Sequence, residues 1–139
     1  FYTDYGSRKG LALLANPAVA VVFPWYVQHR QVKIFGHARP VEESVSDAYF
    51  ESRPRGSQVS AWASNQSQPI ASREALEAKV REIEQKFEGV DALPRPENWG
   101  GFVIEPERCE FWAGRTSRLH DRIRFQRNGG SWSIDRLQP

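Results

Sequence analysis

The apolar periodicity of this chain changes character in a fixed order, strand to helix and back to strand, and that order restricts the folds open to it. β-branched and apolar residues over Val19–Phe23 and Gln31–Val41 read as strands, with Pro24–His29 connecting them. From there the spacing turns helical. Ser44–Ser52 forms a short helix ended before Pro54, Ser57–Ala63 adds a turn or two, and a polar loop runs from Ser64 to Pro69. Ser72–Phe87 is the clearest helix, with Leu76, Val80, Ile83 and Phe87 on one face; Glu77 with Arg81 and Glu82 with Lys86 are favourable pairs along it. After a Pro-rich linker, Val90–Asn98, the strands return as Phe102–Ile104, Cys109–Trp112 and a hairpin of Ile123–Arg127 with Ser131–Leu137, closed at Asn128-Gly129-Gly130. Near the start, Ser7 is placed to cap a helix reaching about Asn16, striped by Leu11, Leu14 and Ala15. Such an order does not alternate as βαβ units do, and it points to a mostly antiparallel α+β barrel.

At 139 residues the chain is long enough for one domain with a core, and residues 1–139 are expected to form a single one. Cys109 is the sole cysteine, so neither an internal disulfide nor a cysteine-based metal site is expected. No apolar run approaches membrane-spanning length and no secretory signal is visible, which makes a cytoplasmic protein without a membrane partner the default. The chain contains no Met and opens at Phe1-Tyr2-Thr3, which reads as the end of a strand; a preceding segment is expected. A net charge of +2 implies no strong field, and no aromatic-basic stripe marks a sheet face, so a nucleic-acid partner is not expected. Arg outnumbers Lys, and Arg suits bidentate grip on small anions.

Three clusters could carry chemistry. In Ser7-Arg8-Lys9-Gly10 two cations occupy the first turn of a capped helix, where they oppose the helix dipole unless an anion sits there; otherwise they are solvated surface charges. Tyr49 and Arg53 share a helix face, Pro54 ends that helix, and Ser57 can cap the next, a set able to surround a dianionic phosphate or to form a plain helix–loop–helix corner. In Arg118-Leu119-His120-Asp121-Arg122 an extended chain would put Arg118, His120 and Arg122 on one face, either to meet an anion or electron-rich ring or as a charged edge strand. Trp112 lies near this segment, Trp62 and Trp99 read as core or interface residues, and Gln66-Ser67 lies in a polar loop that could bind a heterocycle or phosphate or simply be solvated.

Several stretches, in shared order and spacing over the whole chain, resemble the pyridoxamine 5′-phosphate oxidase family. They are Phe1-Tyr2-Thr3, Ser7-Arg8-Lys9-Gly10, Arg30-Gln31-Val32, Ser52-Arg53-Pro54-Arg55-Gly56-Ser57-Gln58, Ala61-Trp62-Ala63-Ser64, Gln66-Ser67, Trp99-Gly100-Gly101, Glu110-Phe111-Trp112, Arg118-Leu119-His120-Asp121-Arg122 and Arg136-Leu137. The resemblance implies an FMN-binding split β-barrel with flanking helices, a homodimer with FMN between subunits, and oxidation of pyridoxamine or pyridoxine 5′-phosphate to pyridoxal 5′-phosphate by dioxygen with release of peroxide. It implies that Tyr2, Thr3, Arg8, Lys9, Gln31, Gln66, Ser67, Trp112 and Arg122 hold FMN. Tyr49, Arg53 and Ser57 would bind the substrate phosphate, and Arg118 and His120 would orient the pyridine ring and form the catalytic pair, with no metal. Related activities stay open at this stage: a dihydrophenazine-type oxidase of the same fold, or a non-catalytic flavin- or pyridoxal-phosphate-binding module.

Overall fold

The computed structural model describes residues 1–139. Its contacts fall into two compact units, Phe1–Asn16 with Pro40–Val103 and Pro17–Arg39 with Ile104–Pro139. The first unit holds β1 (Tyr2–Asp4), α1 (Arg8–Ala15), α2 (Glu43–Glu51), α3 (Arg55–Ala63), α4 (Arg73–Lys86) and the start of β4 (Trp99–Ala113). Here β1 pairs antiparallel with the first residues of β4, Tyr2 opposite Gly101 and Asp4 opposite Trp99.

α1 begins as the sequence predicts. Ser7 is fully buried, its Oγ accepts from the Gly10 N–H at 3.2 Å, and it donates to the Asp4 carbonyl at 2.6 Å. A Cβ at Gly10 would collide with the Tyr5 carbonyl oxygen, so glycine is what lets α1 lie directly on the preceding turn. The apolar stripe of Leu11 and Leu14 is exposed, and Gly10 is the only buried residue of the helix.

α4 is also as expected, with Ser72 capping through the Ala75 N–H and Leu76, Val80, Ile83 and Phe87 turned inward. Its charge pairs differ. Glu77 bonds Arg73 at 2.9 Å rather than Arg81, and Lys86 lies over the Trp62 ring at 4.8 Å rather than on Glu82. A ring face at a half-buried position holds an ammonium without the entropy of fixing a second long side chain. α3 starts earlier than expected: Pro54 occupies the cap position and the Ser57 N–H donates to its carbonyl, so Ser57 stands within the first turn instead of capping it. Phe50, Val59, Phe87, Leu93 and Trp99 form the core of this unit, with Trp62 packed against it, so both tryptophans have a place within one protomer.

The second unit is a sheet in the order β2 (Ala18–Trp25), β3 (Arg30–Pro40), β4, β5 (Asp121–Asn128), β6 (Ser131–Arg136). The pairings β2–β3, β4–β5 and β5–β6 are antiparallel. β2 extends through Pro24 and Trp25, which the sequence reading placed in a connection. The β5–β6 hairpin closes over Gly129-Gly130, with Asn128 opposite Ser131 and Gly129 at φ 61°. The expected strands 102–104 and 109–112 are one continuous β4, because the charged residues between them find partners on β3: Glu105 on Arg39, Glu107 on His37, and Arg108 over the Phe35 ring at 3.8 Å.

One expectation about the site fails here. Thr116–Arg118 is a 3₁₀ turn with Ser117 at φ 56° and Arg118 at φ 61°, and the chain becomes a strand only at Asp121. Arg118, His120 and Arg122 therefore do not line one face of an extended segment. No helix is long and apolar enough to cross a membrane.

Candidate functional site

In the first unit the chain brings together residues far apart in sequence. The Thr3 hydroxyl donates to Gln66 Oε1 at 2.6 Å, and Lys9 Nζ donates to both Thr3 Oγ1 at 2.8 Å and Gln66 Oε1 at 3.1 Å. The Asp4 N–H also reaches Gln66 Oε1, at 3.2 Å. Three of the expected cofactor residues thus form one hydrogen-bonded set at the start of α1. That helix has no acidic residue in its first turn, and Arg8 and Lys9 are both exposed there, an arrangement suited to an anion. Ser67, next to Gln66, has a left-handed backbone at φ 70°.

Beside this set lies a cavity of about 220 Å³ lined by Asp4, Arg53, Ser60, Ala61, Ser64, Gln66 and Trp99. Arg53 is half-buried, its Nη1 is buried without a hydrogen-bond partner, and its Cζ lies 4.7 Å from the Trp99 ring centroid. A buried guanidinium nitrogen without an acceptor is costly, and an anion in the cavity would supply one. Tyr49 stacks on Tyr2 at 3.8 Å, which joins an expected substrate residue to an expected cofactor residue through one pair of rings. Ser57 is half-buried in the first turn of α3. Ser60 of the cavity wall escaped the sequence reading, and Ser64 entered it without a site role; their spacing of four on α3 and its cap was the signal that could have found both.

In the second unit Gln31 and Trp112 line a cavity of about 260 Å³ together with Trp25, Phe111 and Ile123. The Trp112 ring packs on His120, centroids 4.7 Å apart. His120 Nδ1 accepts the Arg115 N–H at 3.2 Å, so in the neutral ring the proton resides on Nε2. Arg118 is exposed on its left-handed turn. Arg122 is engaged: its Nε and Nη2 bond both oxygens of Glu110 at 2.8 and 3.0 Å, and its Nη1 donates to the Gln138 carbonyl. These bonds hold the buried Glu110 carboxyl below its ordinary range, with burial acting the other way. Asp121 lies between Arg115 and Arg136, at 2.7 and 2.6 Å, and both hydrogen bonds lower its pKa. Burial raises the pKa of the Cys109 thiol, which favours its protonated form.

Fold and site together define an antiparallel α+β protein whose first unit sets a half-buried arginine with an unpartnered nitrogen beside a cavity. The model of the pyridoxamine 5′-phosphate oxidase family matches residues 1–87, and that of the pyridoxine 5′-phosphate oxidase C-terminal dimerisation region matches residues 99–139. A pyridoxine/pyridoxamine 5′-phosphate oxidase of Rubrobacter xylanophilus is 53% identical over all of this chain, which spans 64% of that relative's length. PhzG from Burkholderia lata, solved in complex with tetrahydrophenazine-1-carboxylic acid, superposes with a TM-score of 0.91 at 38% identity, over 100% of this chain and 67% of its own. A pyridoxamine 5′-phosphate oxidase-related, FMN-binding protein of Nostoc punctiforme shares the fold, with a TM-score of 0.73 at 15% identity over 100% of this chain and 72% of its own. The chain belongs to the pyridoxamine 5′-phosphate oxidase family, and its fold class is the α+β split barrel expected from the resemblance.

Proposed function

We propose that this chain carries the FMN and substrate sites of an oxidase that converts pyridoxamine or pyridoxine 5′-phosphate to pyridoxal 5′-phosphate, with dioxygen as electron acceptor and hydrogen peroxide as co-product. The observation that carries the reading is Arg53, whose buried Nη1 has no partner and whose side chain lines a cavity. In this reading Arg53, with Tyr49 and Ser57, takes the substrate phosphate. Tyr2, Thr3, Arg8 and Lys9 hold the phosphate and ribityl end of FMN, and Gln31, Gln66, Ser67, Trp112 and Arg122 complete its site. The cationic first turn of α1 and the Thr3–Lys9–Gln66 set fit that group. When bound, FMN supplies the redox chemistry. The protein's part is to orient: Arg118 and His120 fix the pyridine ring, with His120 Nε2–H available as a donor because Nδ1 is already an acceptor. Arg122 can serve FMN only by sharing or exchanging its bonds to Glu110. The matched dimerisation region supports a homodimer, and the protein is read as cytoplasmic.

A second reading, oxidation of a dihydrophenazine carboxylate, draws support from the likeness to PhzG, which was solved with a tetrahydrophenazine carboxylic acid. A non-catalytic flavin- or pyridoxal-phosphate-binding module is a third. One experiment separates them. The purified protein is expected to be yellow, to release FMN on denaturation, and to generate peroxide with pyridoxamine 5′-phosphate far faster than with pyridoxamine or a dihydrophenazine carboxylate. Preference for the phenazine would transfer the chain to the second reading, and bound flavin without peroxide from any donor would transfer it to the third.

A further inference from the structure

We propose that Trp99 is the positioning residue for Arg53, holding the guanidinium by its charge so that its N–H donors stay available to a substrate anion, and that Arg95 locks Trp99 in place. The inference rests on the reading of Arg53 as the substrate-phosphate residue. Arg95, Arg122 and Arg124 are each held by a carboxylate, on Asp47, Glu110 and Asp135. Arg53 has no such partner; its Cζ lies over aromatic rings, 4.7 Å from Trp99 and 5.7 Å from Phe50. A carboxylate would occupy the donors and oppose an incoming dianion. A ring face attracts the cation while leaving every N–H unspent. The one carboxylate lining the cavity, Asp4, is committed elsewhere, to the Gly6 N–H at 2.6 Å and Asn98 Nδ2 at 2.7 Å.

The indole is fixed on several sides. Trp99 is 8% exposed, stacked with Tyr2 at 5.5 Å and nearly parallel to Tyr49, with Phe50 edge-on at 5.2 Å. Its backbone is tied down as well. Arg95 Nη1 donates to the Trp99 carbonyl at 2.7 Å while Nε donates to Asp47 Oδ1 at 2.6 Å. Asp47 belongs to α2, the helix that carries Tyr49 and ends just before Arg53. Arg95 thus clamps the first residue of β4 to the helix that delivers the guanidinium, which fixes both partners of the cation–π contact in one frame.

The test uses the FMN-loaded protein. Trp99→Leu, Trp99→Phe and Arg53→Ala are compared by KM and kcat for pyridoxamine 5′-phosphate, by FMN retention, and by equilibrium Kd for pyridoxal 5′-phosphate and for inorganic phosphate. Trp99→Leu is expected to raise KM and both Kd values about three- to thirtyfold with little change in kcat or FMN retention. Trp99→Phe, which keeps a ring face, is expected to recover most of that loss. Unchanged phosphate affinity in Trp99→Leu, or a Phe variant no better than the Leu variant, overturns the proposal. Should Trp99→Leu not fold, Arg95→Gln decides: it keeps the ring but releases it, and is expected to weaken phosphate binding, so an unchanged Kd overturns the proposal. Arg53→Ala separates the two levels. If it leaves phosphate affinity intact, the reading of Arg53 itself fails; if it alone weakens phosphate, only the role of Trp99 fails.

Discussion

In the unit built from Pro17–Arg39 and Ile104–Pro139, three arginines near the expected site are paired with carboxylates, while Arg118 is exposed: Arg122 grips both oxygens of Glu110, and Arg115 and Arg136 share Asp121. In the other unit, Arg73 and Arg95 are paired in the same way, but Arg53 rests on rings with one buried nitrogen lacking a partner. Both units hold basic residues matching the family motifs, so sequence alone ranks them equally. The difference teaches that a cation already satisfied by a carboxylate stabilises the fold first and meets a ligand only by exchange, whereas a half-buried cation left with free donors is prepared for an anion from outside.

The contrast can be broken most sharply at Arg118 and His120. If they orient the substrate ring, Arg118→Ala and His120→Ala, each saturated with FMN, should slow single-turnover flavin reduction by up to about a hundredfold, since small misplacement costs that much. kcat and kcat/KM should fall together. Reduction at the wild-type rate in both variants would leave this segment as flavin support or a charged turn. Arg53→Ala should raise KM for the phosphorylated substrate roughly ten- to a hundredfold, as loss of a charge-assisted bond worth about 1.5–3 kcal/mol requires, with FMN retention nearly intact. Equal weakening of flavin and substrate would mean that Arg53 serves the other phosphate.

Arg122→Ala should weaken flavin retention by a smaller factor, about tenfold or less, because part of its interaction is already given to Glu110. Measuring retention in Glu110→Gln sharpens the point: if Arg122 must exchange partners, freeing it should tighten FMN. The smallest effect is in stability against pH. Arg122 depresses the Glu110 pKa in the folded state, so the pair stabilises the fold fully above the ordinary value of 4.5 and is lost as pH falls through the lower folded value. Asp121, lowered by Arg115 and Arg136, acts in the same direction. Urea denaturation should therefore show a steeper loss of stability below pH 4.5 in the wild type than in Glu110→Gln.

Much of the architecture was legible because local signals agree with the final fold. Ser7 caps the helix expected of it, the helix expected over Ser72–Phe87 forms with its Leu76–Val80–Ile83–Phe87 face turned inward, and the glycine pair closes the hairpin. The family motifs likewise named the residues that assemble around the cavity of the first unit. What failed to read were features fixed by partners distant in sequence. β4 looked like two strands because its charged middle is stabilised only by cross-strand contacts to Arg39, His37 and Phe35.

The exposure of Leu11 and Leu14 and the start of α3 at Arg55 escaped for the same reason, since periodicity reports an apolar face but not what covers it. The turn at Ser117 and Arg118 is held in a left-handed conformation that non-glycine residues disfavour by about 1–3 kcal/mol, so no propensity could announce it; the surrounding bonds of Arg115 to His120 and Asp121 brace it. The sequence by itself determined which helices and strands form and which basic residues are candidates, because caps, periodicity and turn glycines act within a few residues. Only the tertiary structure decided which of those cations are satisfied and which stay open, because a charge is neutralised or left available by whatever group the fold brings within about 3 Å of it.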